Sequence, residues 1–261
     1  MTANATTTAE TGHDIVLQVR SVAMRFGGLL ALGGIDLDVA RGERLAILGP
    51  NGAGKTTLFN VIAGDLRPTR GTVHIKGSDC TALPSRKRPA LGVARTYQKA
   101  RSFPGLTVWD NLYLAILGKE GRHRTLWRGS TDRQWRERAV EAAKVVWLDD
   151  RLDSLVGDLS HGQKRQLELG MVVVTDPDVL LLDEPASGLS RGERERLMDL
   201  LDDLAANTTL LIIEHDMDVA FRIARRVFVM ADGSQVAEGT PEEIQADPIV
   251  HEVYLGGEVG T

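Results

Sequence analysis

Gly49-Pro50-Asn51-Gly52-Ala53-Gly54-Lys55-Thr56-Thr57 fits the pattern G-x-x-x-x-G-K-[ST] of a phosphate-binding loop. Arg44-Leu45-Ala46-Ile47-Leu48 before it reads as a short buried strand, and Thr57-Leu58-Phe59-Asn60-Val61-Ile62-Ala63 after it has the apolar spacing of a helix. A strand feeding a glycine loop feeding a helix aims several backbone N–H groups, and the positive end of the helix dipole, at one point. A polyphosphate suits that point. The glycines let the backbone approach it with no Cβ in the way. Lys55 is placed to neutralise β- and γ-phosphates, and Thr56 to offer its hydroxyl to Mg²⁺. A glycine-rich turn without a ligand is the alternative, and strand, Lys and Thr in register weigh against it.

The totals are those of an ordinary α/β protein: 261 residues, 43% apolar, 26% charged, net charge -5. That length suits one large domain, or one with an inserted subdomain. The acidic balance weighs against nucleic acid as the main partner. Cys80 is the only cysteine, so no intrachain disulfide forms, and a reducing cytoplasm is the expected location. Apolar runs such as Val179-Leu180-Leu181-Leu182 are too short to cross a bilayer. A membrane role therefore requires partner subunits. Residues 1–13, rich in Thr and Ala, read as a disordered tail.

Along the chain, Ile15 to Phe26 reads as extended and Ile35 to Val39 alternates as a half-buried strand; the two are expected to form an antiparallel layer. Phe26, beside Gly27-Gly28, offers a flat ring for a purine or is a buried core residue. Gly71 to Gly77 reads as a short strand. Arg86-Lys87-Arg88 reads as the solvated face of a surface helix, and Val93 to Gln98 as a strand. Helical texture then runs from Lys99 to Leu159, with one helix opening at Thr107 and another over Arg133 to Val146. The basic stretch Lys119 to Arg138, with Trp127 and Trp135, reads as a linker. Ser160-His161-Gly162-Gln163 opens a further helix, with Ser160 as a good N-cap. Val179 to Glu184 and Thr209 to His215 are continuous apolar runs of the kind that form central parallel strands. Val227 to Ala237 reads as a closing hairpin. A helix starts at Thr240-Pro241 and opens a helical tail over 241–261.

A parallel sheet binds its ligands at the carboxyl ends of its strands. Gly49, Gln98, Asp183, Glu184 and His215 all fall at such ends, and this convergence says more than any one motif. Asp183 is placed to hold Mg²⁺. Glu184, one residue further, can act on a water in line with the γ-phosphate as base or orienter. His215 can contact the γ-phosphate or serve structure alone, and Gln98 can ligate Mg²⁺ or hold the water. The start of the helix at Ser160 reads as a bare helix N-terminus and so as a second anion site. The first site has its own loop, so the second is expected to serve the nucleotide of another copy.

Taken in order, the phosphate loop, Gln98, Leu159 to Gln163, Asp183-Glu184 and His215 resemble the motifs of the ATP-binding subunit of ABC transporters, over about Asp14 to Ala237. The resemblance implies a RecA-like parallel sheet with an antiparallel β layer and a helical subdomain inserted at about 99–175, within a nucleotide-binding domain at 14–240. It implies ATP and Mg²⁺ as ligands. Phe26 would stack on adenine, residues 49–57 (with Ala53 and Thr57) would bind the phosphates, and Glu184, His215 and Gln98 would handle hydrolysis. Thr56, Gln98 and Asp183 would hold the metal. Ser160, His161, Gly162 and Gln163 would close on the ATP of a second ATPase subunit. Transmembrane permease subunits would seat a short helix on the helical subdomain, which places the protein on the inner face of the membrane, with a solute-binding protein outside.

Met24 to Gly28, Ala94 to Gln98, Phe103 to Val108, Ile213 to Met217 and Tyr254-Leu255-Gly256 resemble the branched-chain amino acid importer class. Urea importers and the lipopolysaccharide-export ATPase look similar. His161 departs from the wider family's Gly, and Ser190 from its Asp in the loop that crosses the dimer, which bears on communication between sites. A soluble ATPase of DNA repair or translation would carry a coiled-coil insert or a second cassette, and the chain has neither. A non-hydrolysing regulator would not need Glu184 and His215.

Overall fold

The computed structural model describes residues 14–96, 102–120, 130–204 and 208–255. The expected tail at 1–13, and Tyr97, Gln98, Trp127 and Gly256, lie outside them. The elements run β1 (Ile15–Phe26), β2 (Leu29–Ala40), β3 (Arg44–Leu48), α1 (Lys55–Ala63), β4 (Arg70–Ile75), β5 (Ser78–Asp79), β6 (Val93–Arg95), α2 (Val108–Lys119), α3 (Ser130–Val145), α4 (His161–Val173), β7 (Val179–Asp183), α5 (Arg191–Asp203), β8 (Thr209–Ile213), α6 (Met217–Ile223), β9 (Arg226–Ala231), β10 (Ser234–Gly239), α7 (Pro241–Ala246) and α8 (Pro248–Leu255).

Two sheets form. β2-β1-β4-β5 is antiparallel throughout, and β10-β9-β3-β8-β7-β6 is parallel except for β10. The loop-bearing β3 lies inside the larger sheet, pairing Leu45 with Leu211 on one side and with Arg226 on the other. Alternate residues of the central strands enter different cores. Ala46, Leu48, Leu180 and Leu182 pack with α2 to α8, whereas Leu45, Ile47, Val179 and Leu181 pack with α1 and the antiparallel sheet. Burial on both faces is why these strands carry unbroken apolar runs rather than alternation. Thus α1 shares its face with the antiparallel sheet, and the other helices cover the opposite face.

Two expectations are corrected. Arg88 lies on a 3₁₀ turn, Ser85–Leu91, but is 1% exposed and not solvated: Nε donates to the Leu83 carbonyl (3.1 Å) and Nη1 to Cys80 Sγ (2.7 Å). The stretch Lys119 to Arg138 is not a linker where it is described. From Ser130 on it is α3, with Trp135 buried edge-on to Tyr113 (6.2 Å) and Tyr113 stacked on Trp109 (4.9 Å). Aromatic side chains thus fasten α3 to α2.

Candidate active site

Lys55 begins α1, whose N-cap Gly54 is left-handed and supplies no side chain. The first N–H groups of a helix lack intrahelical acceptors. Elsewhere side chains take part of this load: Thr107, Ser160, Ser190, Asp216 and Thr240 each cap a helix. At α1 the groups stay available to an anion. Gly49 has φ +144, and a Cβ there would lie 2.1 Å from the Met230 carbonyl, so the turn out of β3 admits only glycine. The Gly49 N–H is taken by the Tyr254 hydroxyl of α8 at 2.8 Å. Lys55 Nζ donates to the carbonyls of Gly49 (2.6 Å) and Pro50 (2.9 Å). Burial lowers the Lys55 pKa, against the pull of Glu184 and Asp183. An incoming phosphate would hold the ammonium charged.

An open cleft of about 410 Å³ is lined by Phe26, Asn51 to Thr57, Glu184 and His215. Phe26 is 46% exposed, so it is not a core residue. Glu184 has φ +48, outside the usual region for a non-glycine residue, and its Oε1 lies 2.5 Å from His215 Nε2. The aim of that carboxylate is thereby fixed by an imidazole from beyond β8.

Asp183 ends β7 at 2% exposure. Its Oδ2 accepts from Arg95 Nη2 at 2.8 Å, while Oδ1 is buried with no hydrogen-bond partner. An unpartnered buried carboxylate oxygen is costly alone and fits a hydrated cation. Among the described residues no three His, Cys, Asp or Glu converge on one point. A cation here would take its remaining ligands from phosphate and water, the usual habit of Mg²⁺. Thr56 lies in the neighbouring cleft, and Gln98 lies outside the described residues.

Ser160 to Gln163 do not line that cleft; Ser160, Gly162 and Gln163 face α5. Nor is their helix end bare. Ser160 Oγ accepts from Gln163 N–H (3.2 Å), and the Gln163 side chain accepts from Ser160 N–H (3.0 Å). This capping box leaves the N–H groups of His161 and Gly162. Gly162 leaves room for Glu193, whose Oε1 would lie 2.0 Å from a Cβ there. Ser190, in turn, caps α5 through Glu193.

Three site-supporting residues escape a reading by motif. Arg95 joins Asp183 to Asn60 (2.6 Å) and Asp65 (3.2 Å). Glu214 is buried and accepts from Ala186 N–H at 3.0 Å. Arg165 reaches from α4 to the carbonyls of Asp183, Glu184 and Pro185. The phrases around Arg95 and Glu214 carried a signal only through their resemblance to a family pattern, and Arg165 carried none.

A phosphate loop after β3, an acid pair at the end of β7 and a histidine after β8 define a P-loop nucleoside triphosphatase. The family model described as "ABC transporter" matches residues 32–187, and the chain belongs to that family. A second model, "Branched-chain amino acid ATP-binding cassette transporter", matches residues 235–260. The chain is 38% identical over 250 residues to the high-affinity branched-chain amino acid transport ATP-binding protein LivG of Salmonella typhimurium, covering 92% of this chain and 98% of that one. It is 37% identical over 254 residues to the corresponding BraF of Pseudomonas aeruginosa, covering 92% and 98%. Among solved structures, the ADP conformation of MJ1267, an ATP-binding cassette of an ABC transporter, superposes with a TM-score of 0.82 at 29% identity over 93% of this chain and 99% of that one. The post-hydrolysis dimer of the cassette MJ0796 bound to ADP and Pi superposes at 0.74, with 26% identity over 86% and 98%.

Proposed function

We propose that this chain is the ATP-hydrolysing subunit of an importer for branched-chain amino acids. The observation that carries the chemistry is the Glu184–His215 contact of 2.5 Å in the cleft that holds the phosphate loop. Glu184 is the base that accepts the proton of the attacking water, and His215 orients it. Lys55 and the free N–H groups at the start of α1 hold the phosphates, and Phe26 stacks on adenine. Asp183, Thr56 and Gln98 would hold Mg²⁺, which when bound would neutralise phosphate charge. The solute class is supported by the match at 235–260 and by the names of LivG and BraF.

The site is completed by a second ATPase subunit. Ser160 to Gln163 lie away from the cleft of their own chain, and the dimeric form of MJ0796 supports such an arrangement. Permease subunits anchor the protein at the inner face of the membrane, where a groove lined by Arg88, Arg95, Ala115, Lys119 and Met171 receives one of their helices. That groove lies between a nucleotide-binding core within 14–240 and its helical insertion at about 99–175, and the C-terminal segment 241–261, which carries α7 and α8, follows the core. No described helix is long and apolar enough to cross a membrane.

The test is Glu184→Gln. The variant should bind ATP and lose turnover, since the amide accepts no proton; unchanged hydrolysis would overturn the assignment. In vesicles carrying the permeases and this chain, ATP should drive leucine uptake that Glu184→Gln stops. Uptake of urea instead would reassign the solute.

A further inference from the structure

The backbone that aims Glu184 is gripped from two sides. From β8, the Ile213 carbonyl accepts from Glu184 N–H (2.9 Å) and the Glu214 carboxylate accepts from Ala186 N–H (3.0 Å). From α4 comes a single buried guanidinium. Arg165 Nη2 donates to the carbonyls of Asp183 and Glu184, both at 3.1 Å, and Nε to that of Pro185 at 3.2 Å. Its charge is balanced on α4 itself, where Nη1 donates to Glu168 Oε2 at 2.7 Å. Glu184 sits at φ +48, a conformation that persists in a non-glycine residue only where its surroundings over-determine it. Three successive carbonyls turned to one guanidinium do that.

Arg165 is one turn and a half from Ser160, on a helix whose rise fixes the distance along its axis at about 7–8 Å. The helix end that presents Ser160 and His161 outward and the group that holds the glutamate's backbone are therefore parts of one rigid body. The two ends serve different nucleotides under the function proposed above, on which this inference rests. We propose that Arg165 is a positioning residue that couples the seating of the α4 N-terminus on the partner's nucleotide to the aim of Glu184 at the chain's own. When α4 shifts, three carbonyls shift with it, and the carboxylate follows them.

The test uses the assembled transporter or the full chain with its partner. Arg165→Gln should lower kcat roughly tenfold to a hundredfold, as small misplacements of a catalytic group do. KM for ATP, and the affinity for a fluorescent ATP analogue in a Glu184→Gln background, should stay within about twofold. Arg165→Lys should recover only part of kcat, because an ammonium lacks the planar fork that serves three carbonyls. Coupling is read from a cycle with Ser160→Ala: the double variant should lose less than the product of the single losses. Unchanged kcat in Arg165→Gln would overturn the proposal, as would kcat and ATP affinity falling together, which marks a structural role alone. Losses that multiply in the cycle would overturn the coupling. If Arg165→Gln fails to fold, the same measurements on Arg165→Lys decide. A wild-type protein without ATPase activity would fail the functional reading itself, whereas an active wild type with an equally active Arg165→Gln fails only this inference.

Discussion

Single residues here are set by what surrounds them rather than by their type. Phe26 is an aromatic residue in a strand, yet it is 46% exposed at the cleft. Phe26→Ala should therefore leave the melting temperature nearly unchanged, while nucleotide affinity falls by about 1–2 kcal/mol, the scale of a ring stacking on a base. Isothermal titration beside a thermal melt checks both halves. Glu214 is the opposite case. Burial pushes its carboxyl above the ordinary value of 4.5, against the hydrogen bonds from Ala186 and His215, and the charges of Glu184 and Asp216 push the same way. A raised folded-state pKa means that the folded form holds the proton more tightly than the unfolded chain. Glu214 thus favours folding most below its unfolded pKa, and this contribution fades as pH rises through the folded value. Glu214→Gln keeps an oxygen for Ala186 N–H and removes the titration. Its melting temperature relative to wild type should rise between pH 4 and pH 8; a constant difference would show that Glu214 does not titrate in that window.

Elements formed where local chemistry was strong. The helices at Thr107, Ser160 and Thr240 start where a side-chain cap meets its reciprocal partner, and those signals are short-range and readable. β7 and β8 were readable because unbroken apolar runs imply two covered faces. β2 is longer than its alternating part. Leu29 and Leu30 are exposed and Gly33-Gly34 interrupts the pattern, so only pairing with β1 reveals that half. Arg88, Arg165 and Glu214 were not legible as buried anchors, since their partners are backbone atoms or a thiol brought near by the fold. Packing at the element scale also gives a prediction for α4 against α5. Gly162→Ala would drive a methyl group into the Glu193 carboxylate, which already caps Ser190. The Glu193 side chain must swing aside and give up its bond to Ser190, so the variant should lose about 0.5–2 kcal/mol, the scale of a helix cap. In a Glu193→Ala background, where that bond is already gone, Gly162→Ala should cost little more; denaturant melts of the single and double variants decide the point.

At the scale of the whole molecule, the cleft around Lys55 and the helix end at Ser160 face different ways, and under the shared-site proposal each is one half of a site. Lys55→Ala should ruin the first half, and Ser160→Arg the second by bulk and charge. In a Glu184→Gln background neither variant alone should dimerise with ATP. Their mixture should, since one pairing restores one intact site; sedimentation velocity reads the outcome. Dimerisation of the Ser160→Arg variant alone, to the level of its parent, would show that the site is not shared.

The position of β3 inside the larger sheet has a consequence for synthesis. The loop is encoded early, but the strand that presents it is flanked by β8 and β9, so Leu45 must wait for Leu211 and Arg226. Contacts so distant along the chain form late and slowly. A ribosome that has made the glycine loop has not yet made its scaffold, and at about 5–20 residues per second many seconds separate the two. Over that interval the nascent chain carries the apolar strand β3 without either of its neighbours, and ATP has no finished site to bind. Nucleotide can thus act as a folding ligand only near the end of translation. Stalling the ribosome before β9 emerges should give nascent chains that ATP-agarose does not retain, and stalling well beyond it should give chains that it does.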